Sequence, residues 1–317
     1  MGSAPASEPV RRSAEATSSG QYVGRFAPSP TGPLHFGSLV AAVASYLQAR
    51  SHQGRWLLRI EDIDPPRERR GAADAIVRAL ETYGFEWDGP VLYQSRNSGH
   101  HRAIVKRLIE ERHAYRCGCS RQQLATAQLG PLGRIYPGTC RAGSTSRNPA
   151  IRLRTDNEPV TFVDRVQGPQ VQRLESESGD FVIRRRDKLI AYHLAVVVDD
   201  FAQGVSQVVR GVDLLDSTPR QIYLQRLLGY PTPQYAHIPV VVNRKGQKLS
   251  KTTGAGEVPL ESNPPVLCAA LRALKQPVPR DLDSAALPAI WEWATKCWTL
   301  DPLVNQRSVP EPLEVYG

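Results

Sequence analysis

The sequence predicts an α/β protein built around a Rossmann-type nucleotide-binding domain. Three observations carry this prediction: a short strand at residues 22–26, a helix at residues 36–50 that follows a loop rich in proline, and a nearly all-apolar strand at residues 56–60. Strands buried on both faces of a parallel sheet are apolar throughout, whereas strands with one solvent face alternate. A strand, loop, helix and second strand in this order form the start of a nucleotide-binding sheet.

Apolar periodicity and turn residues predict the remaining elements. Helices are expected at residues 71–83, 97–114 and 219–228, the last ending at Gly229, and two or three small helices are expected after Thr252. Short strands around residues 150–154, 160–165 and 181–186 are expected to be antiparallel. The apolar run at residues 191–198 precedes Asp199 and Asp200, which either support a site or end a strand. Arg59 is expected on the surface.

Composition favours a basic protein with a polyanionic partner. Lys and Arg number 40 against 31 Asp and Glu, which gives a net charge of +9, and excess positive charge attracts nucleic acid. No stretch approaches the roughly 20 apolar residues that span a bilayer. Residues 1–20 lack the apolar run of a signal peptide and are expected to be a disordered tail. We therefore expect a cytoplasmic, monomeric protein without a membrane span.

The first motif with chemical content is the loop from Pro33 to Ser38 at the start of the helix predicted at residues 36–50. Free N–H groups and the dipole of a helix N-terminus favour phosphate. Gly37 allows a nucleotide to approach the backbone, and His35 can donate a hydrogen bond to a phosphate oxygen as charge develops. Alone, a His-x-Gly pattern is weak evidence for catalysis.

The second motif is the loop from Gly246 to Thr252, which contains Lys248 and Lys251. Two lysines three residues apart can both turn toward a triphosphate and neutralise the charge that spreads over it during in-line displacement. By itself, this motif is better explained as a solvated lysine loop.

Together the two motifs resemble the HIGH-type and KMSKS-type signatures of class I aminoacyl-tRNA synthetases. The substitutions within them keep His35, Gly37 and Lys251. Residues 25–32, 59–64, 192–200 and 210–215 resemble the glutamyl branch in particular, and the resemblance covers about residues 22–252. It implies that ATP enters with Mg²⁺ and that His35 and Lys251 are catalytic. The implied ATP-binding residues are His35, Gly37, Ser38, Lys248, Ser250 and Lys251.

A glutamate pocket needs a guanidinium for the side-chain carboxylate and an acidic or polar group for the ammonium. Arg25, Glu61 and Arg210 each stand at the end of a predicted strand, where α/β proteins place ligand contacts. The resemblance implies that the following residues contact glutamate: Arg25, Ala27, Ser29, Glu61, Tyr192 and Arg210.

Three of the five cysteines lie between residues 117 and 140, which indicates a metal site in a reducing compartment rather than a disulfide framework. Cys117, Cys119 and Cys140 supply three soft ligands, whereas a structural zinc takes four. Tyr136, His113 or a water is the candidate for the fourth; the spacing resembles a Cys-x-Cys…Tyr…Cys site and favours Tyr136. The alternative is three reduced cysteines without metal. Cys268 and Cys297 are expected in the core.

The resemblance also narrows the acceptor. Bacterial glutamyl-tRNA synthetases carry a long anticodon-reading region after the KMSKS loop, and residues 253–317 are too few for it. This shortening, with the cysteine pattern, is similar to the glutamyl-queuosine tRNA(Asp) synthetases, which attach glutamate to queuosine in the anticodon loop. The alternatives are a compact synthetase that charges a 3′ end and a non-catalytic, zinc-bearing RNA-binding protein.

The expected organisation follows from these assignments. A first half of the catalytic domain is followed by a zinc-bearing insertion, a second half with the KMSKS-type loop, and a short helical region. The expected boundaries are residues 1–20 for the tail, 21–114 and 187–252 for the two halves, 115–186 for the insertion, and 253–317 for the helical region.

Overall fold

A computed structural model describes residues 21–249, 256–261 and 263–312. The chain is a mixed α/β protein, as predicted. Its helices, in chain order, are α1 (Phe36–Ser51), α2 (Ala72–Thr82), α3 (Ser98–Glu110), α4 (Arg121–Ala125), α5 (Leu174–Glu177), α6 (Tyr192–Ala202), α7 (Thr218–Leu228), α8 (Asn263–Ala273) and α9 (Leu287–Cys297). Each helix in the described part of the chain is too short or too polar to span a bilayer.

The strands form several sheets, of which the parallel ones position the site. In chain order they are β1 (Val23–Phe26), β2 (Arg55–Ile60), β3 (Leu92–Tyr93), β4 (Ala114–Cys117), β5 (Leu129–Gly130), β6 (Gly133–Arg134), β7 (Ala150–Leu153), β8 (Pro159–Asp164), β9 (Gly168–Arg173), β10 (Phe181–Arg184), β11 (Gln207–Gly211), β12 (Gln234–Ile238), β13 (Val240–Val242) and β14 (Ser308–Pro310).

Two sets of parallel strands lie side by side. In the first set, β1 pairs with β2, and β2 pairs with β3. In the second set, β11 pairs with β12, and helix α7 connects these two strands. The two sets adjoin where the Ser206 amide donates to the Val23 carbonyl at 2.9 Å. Gly229 ends α7 with a φ of 71°, a conformation that costs little only for glycine. The predicted strand–helix–strand unit and the predicted helix at residues 219–228 are therefore confirmed.

The segment between these sets contains an antiparallel sheet of β4, β7 and β10. The predicted antiparallel strands at residues 150–154, 160–165 and 181–186 are confirmed, but they lie in two sheets, because β8 pairs with β9 and contacts β12 where Asp164 lies opposite Tyr235. Strand β9 was not predicted; it begins at Gly168, which has a φ of 70°.

Two further element predictions need correction. The third helix ends at Glu110 rather than 114, because Arg112 takes a φ of 61° and β4 begins at Ala114. The apolar run at residues 191–198 lies in helix α6, so Asp199 and Asp200 do not end a strand. A fully buried helix is apolar all round, and periodicity alone does not separate it from a buried strand.

Two α-helices, α8 and α9, follow residue 252, in agreement with the prediction of two or three small helices there. They pack against α1 and extend the main apolar core. The Trp291 indole donates to the Tyr83 carbonyl at 2.9 Å and links α9 to the end of α2. Cys268 is buried in α8, as predicted, but Cys297 is exposed at the end of α9, so its core assignment is wrong.

Candidate active site

A cavity of about 620 Å³ lies at the carboxyl ends of β1, β2 and β11. Carboxyl ends of parallel strands are where open α/β sheets bind ligands. The residues predicted to bind glutamate or ATP line this cavity as far as they are described: Arg25, Ala27, Ser29, His35, Gly37, Ser38, Glu61, Tyr192, Arg210 and Lys248. Ser250 and Lys251 lie outside the described residues.

His35 occupies the N-cap position of α1. Its Nδ1 accepts a hydrogen bond from the Ser38 amide at 3.3 Å, and its Nε2 lies 3.0 Å from the Ser38 hydroxyl. Because Nδ1 is an acceptor, the proton of the neutral ring is on Nε2. A Cβ at Gly37 would lie 3.4 Å from the His35 ring, so a side chain there would crowd the imidazole.

Lys248 lies at the rim of the cavity. Its Nζ contacts the Asp213 carboxylate at 2.5 Å, and both side chains are partly exposed. Asp213 follows β11 and also lines the cavity. This ion pair holds the lysine beside the cavity.

A buried charge cluster, here called the floor, adjoins the cavity: Arg25 and Glu61 line it, and Arg59 and Asp200 are their buried partners. The Asp200 carboxylate accepts from Arg25 Nε at 3.1 Å and from Arg59 Nη2 at 2.8 Å, and Glu61 Oε1 lies 3.4 Å from Arg59 Nη2. Burial by itself raises the pKa of Asp200, but the two guanidinium groups outweigh it and lower that pKa. Burial raises the pKa of Glu61, and the same guanidinium groups only partly oppose this.

The expectation that Arg59 lies on the surface is wrong, since its side chain is completely buried. Its second Nη donates to Gln203 at 2.7 Å. The neighbouring Asp199 accepts from Gln94, Asn97 and His101 at 2.7 to 3.0 Å. The adjacent acidic pair at residues 199–200 was the only sign of this cluster in the sequence. Its place in the cluster could not be predicted, because helix α6, which carries the pair, was not predicted.

Arg210 is held by neutral groups. Its Nε donates to His237 Nε2 at 2.9 Å, Nη1 to the Tyr192 hydroxyl at 3.2 Å, and Nη2 to Thr218 and Gln221 at 2.8 Å each. Burial lowers the pKa of His237 to about 4. The imidazole is therefore neutral near pH 7 and accepts from Arg210 while its Nδ1 donates to Asp164 at 2.6 Å. Sequence analysis missed both His237 and Asp164.

This arrangement is suited to a small zwitterion. Among the described residues, no carboxylate forms an ion pair with Arg210, so its charge attracts an anionic group in the cavity. Glu61 lies in the same cavity and offers a carboxylate for a cation.

The three clustered cysteines come together away from this cavity. Their sulfur atoms all lie within 4.8 Å of one another, and Cys119 Sγ lies 3.5 Å from Cys140 Sγ. Burial raises the pKa of the Cys117 thiol, but hydrogen bonds from Tyr136, Cys119 and Arg152 lower it to about 7. Thiolates at this spacing are a donor set that fits a tetrahedral metal.

The candidates for the fourth ligand differ in position. The Tyr136 hydroxyl lies 3.4 Å from Cys117 Sγ and 3.6 Å from Cys119 Sγ, and it accepts from the Cys140 amide at 3.0 Å. His113 does not lie within ligand distance of the group formed by Cys117, Cys119 and Cys140. The structure therefore brings Tyr136, and not His113, to the three thiols.

A parallel sheet is interrupted by an antiparallel sheet, a histidine caps α1, and a lysine lies at the rim of the cavity. This arrangement agrees with the catalytic core of a class I synthetase. The family of class I tRNA synthetases (E and Q), catalytic domain, matches residues 21–260, and the chain belongs to this family of ligases. The predicted resemblance is thereby confirmed.

Similar proteins carry a more specific name. The Glutamyl-Q tRNA(Asp) synthetase of Pseudomonas fluorescens is 52% identical over 297 residues, which cover 93% of this chain and 98% of that protein. The protein of the same name from Dechloromonas aromatica is 51% identical over 296 residues, covering 92% and 98%.

Solved structures agree on the fold. A glutamate tRNA ligase from Elizabethkingia meningosepticum, solved with its amino acid, has a TM-score of 0.76 at 21% identity and covers 93% of this chain and 68% of that one. The glutamate-tRNA synthetase of Elizabethkingia anophelis gives 0.77 at 21% identity, covering 93% and 69%. At this identity they establish the shared fold alone.

Proposed function

We propose that this chain activates L-glutamate with ATP and transfers it to queuosine in the anticodon loop of tRNA(Asp). The observation that carries the activation step is the single cavity lined by Arg210, Glu61, His35 and Lys248. The names of relatives about half identical over nearly their whole length support queuosine as the acceptor.

Glutamate fits the charges of the cavity. Arg210, held only by neutral groups, receives a carboxylate, and Glu61 at the end of β2 receives the ammonium. Tyr192 donates its hydroxyl proton and is kept neutral because burial raises its pKa. The proposed contacts of Arg25, Ala27 and Ser29 extend this pocket along the loop after β1.

In the activation step, the glutamate α-carboxylate attacks the α-phosphorus of ATP, and pyrophosphate leaves. His35 Nε2 and the Ser38 hydroxyl lie 3.0 Å apart at the N-terminus of α1. We propose that they contact a phosphate oxygen of ATP there, because a helix N-terminus favours phosphate. Lys248 neutralises charge on the departing phosphates, and we propose the same role for Lys251. Mg²⁺ enters with ATP as part of the substrate. The chain contributes positioning and electrostatic stabilisation.

In the transfer step, a hydroxyl of the queuosine ring attacks the carbonyl carbon of the glutamyl-adenylate. An ester forms, the carbonyl–phosphate bond breaks, and AMP leaves. The hydroxyl proton passes to the departing phosphate, which removes the need for a dedicated protein base.

We further propose that residues 115–186 form a zinc-bearing insertion in which Cys117, Cys119, Cys140 and Tyr136 hold one structural Zn²⁺. Bound zinc would cross-link β4 to the loop that contains Tyr136. We expect about one zinc per chain by metal analysis and loss of that metal in Cys140→Ser, with Cys268→Ser as the control. Purified protein that is folded but free of zinc would contradict this proposal.

Charging with radiolabelled glutamate tests the function. The acceptors are purified tRNA(Asp) with queuosine, tRNA(Asp) without it, and tRNA(Glu). Label on queuosine-bearing tRNA(Asp) alone is the expected result. Label at the 3′ end of tRNA(Glu) would make the chain a compact conventional synthetase, and no glutamate-dependent exchange between ATP and pyrophosphate would make it a binding protein.

A further inference from the structure

A second cavity, of about 380 Å³, lies between the inserted segment and helices α6 and α7. Arg134, Arg152 and Phe181 line it from the insertion, and His193 and Arg220 line it from α6 and α7. None of its residues lines the amino-acid cavity, but Tyr136, the proposed fourth zinc ligand, lines the second cavity as well.

The cavity is electropositive. Arg220 donates to the Asp216 carbonyl at 3.3 Å, and no carboxylate among the described residues forms an ion pair with it. Burial lowers the pKa of Arg220, which the charge of Asp216 only partly opposes. Arg152 donates to the Asp180 carbonyl at 2.6 Å, but its buried Nε has no hydrogen-bond partner in the described part of the chain.

The carboxylate at the cavity wall does not neutralise these arginines. Asp180 is buried, and its oxygens accept from Arg141 at 2.6 and 2.7 Å, from Thr155 at 2.8 and 3.0 Å, and from the Tyr115 hydroxyl. Its charge is taken up within the insertion. Arg220 thus remains available to an anion that enters from outside.

An uncharged aromatic edge lies beside the arginines. The rings of Phe181 and His193 pack edge to face with centroids 5.6 Å apart. Burial, followed by the charges of Arg220 and Arg210, lowers the pKa of His193 to about 3, so its ring is neutral near pH 7. Its Nδ1 is buried without a hydrogen-bond partner among the described residues. The cavity combines a cation for phosphate with a polar ring for a nucleoside.

The two cavities lie on either side of the first turn of α6, where the rings of Tyr192 and His193 have centroids 5.5 Å apart. Tyr192 lines the amino-acid cavity, and the next residue, His193, lines the second one. A group held against His193 is therefore next to the place where a glutamyl carbonyl would be presented. This adjacency is what an acceptor requires.

Resting on the proposed function, we propose that the second cavity holds the acceptor nucleoside of the RNA. Arg220 binds the phosphodiester beside that nucleoside. His193 offers its neutral ring to a hydroxyl or base edge, and Phe181 supports the stacked ring. Arg134, which is bound to the Ala127 carbonyl at 2.7 Å, lies at the exposed rim and follows the RNA backbone.

The test compares Arg220→Gln with Arg226→Gln, which removes an exposed arginine from the same helix. Transfer of glutamate to queuosine-bearing tRNA(Asp) and glutamate-dependent ATP–pyrophosphate exchange are both measured for each variant. For Arg220→Gln, we expect the KM for RNA to rise about tenfold and the KM for glutamate to stay nearly unchanged. A rise of about tenfold corresponds to the loss of one charge-assisted contact. Arg220→Lys keeps the charge and should recover most of this loss.

Salt dependence gives a readout that a purely structural role would not change. The slope of log affinity for the tRNA against log salt should fall by about 0.7 in Arg220→Gln, the value for one lost phosphate contact on a single strand, and stay unchanged in Arg226→Gln. If the wild type transfers glutamate and Arg220→Gln changes RNA binding no more than Arg226→Gln does, the subsite is wrong and the proposed function stands. Wild-type protein that transfers to no queuosine-bearing RNA would overturn the proposed function and, with it, the occupant assigned here.

Discussion

The floor and the wall of the amino-acid cavity hold their arginines in different ways. At the floor, Arg25 and Arg59 share the Asp200 carboxylate, and Glu61 lies beside them. At the wall, Arg210 is surrounded by imidazole, hydroxyl and amide groups. All of these arginines are buried or nearly so, so the difference lies in charge compensation and not in exposure.

The difference assigns the two regions different tasks. A buried guanidinium whose charge is balanced within the protein fixes the ends of β1 and β2 in place and has less attraction left for a ligand. A buried guanidinium without a carboxylate partner becomes fully balanced only when an anion binds. If the proposed function holds, we expect Arg210 at the wall to be the main receptor for the anion, while the charge pairs of the floor, which include the proposed glutamate contact Arg25, chiefly hold the strand ends in place.

The largest expected effect is on the stability of the floor. Asp200→Asn leaves Arg25 and Arg59 buried with less compensating charge, and breaking such a buried pair costs about 3–5 kcal/mol of unfolding free energy. Denaturant unfolding measures this loss. Glu292→Gln removes one partner of an exposed helical pair and should leave the unfolding midpoint unchanged.

The pH dependence of this effect has a defined sign. The pKa of Asp200 is lowered in the folded protein, so its contribution is present above the unfolded pKa of about 4 and is lost as the pH falls through the folded value. The wild type and Asp200→Asn should therefore differ most near pH 7 and converge in acid. A constant difference across the whole range would show that lost packing, rather than charge, causes the change.

The next effect should appear in glutamate activation. Arg210→Gln removes the receptor charge, and we expect kcat/KM for glutamate in ATP–pyrophosphate exchange to fall about 100-fold, as for a lost buried charge-assisted contact. The unfolding free energy should change less than in Asp200→Asn. An unchanged KM for glutamate would assign the carboxylate to the floor instead.

The sequence predicted the outline of this site because motif residues follow strand ends. Arg25, Glu61 and Arg210 each stand where an apolar strand stops, and strand ends of a parallel sheet meet at one edge. The partners of these residues were not predictable in this way. Asp200 reaches the floor from α6, which resembled a strand in its apolar run.

His237 and Asp164 show the same limit. They come from β12 and the end of β8, two strands that touch at one pair of residues far apart in the chain. Nothing local in the sequence marks a contact of this kind, since its cause is the tertiary crossing of the insertion back onto the parallel sheet. The sequence therefore indicated the ligand-facing residues, while the residues that orient them required the fold.

The smallest expected effect tests what orients Arg210. His237→Leu removes the acceptor 2.9 Å from Arg210 Nε. We expect the KM for glutamate to rise about tenfold, the lower end of the value of one hydrogen bond to a charged group. The KM for ATP should not change. His237→Gln carries an amide oxygen that can accept from Arg210, and it should restore most of the loss. If both variants behave alike, His237 acts through packing and not through its ring nitrogen.

The pH dependence of the unfolding free energy also tests the state of His237. Burial lowers the folded pKa of His237 to about 4 from 6.5, so only the unfolded chain takes up this proton between those two pH values. Stability of the wild type should therefore fall as the pH drops through this window, by at most about 1.4 kcal/mol per pH unit from this one group. His193, whose pKa is also lowered by burial, adds a similar slope that His237→Gln leaves in place. The difference between wild type and His237→Gln isolates the His237 proton, and equal slopes would mean that Asp164 keeps this imidazole protonated in the folded protein.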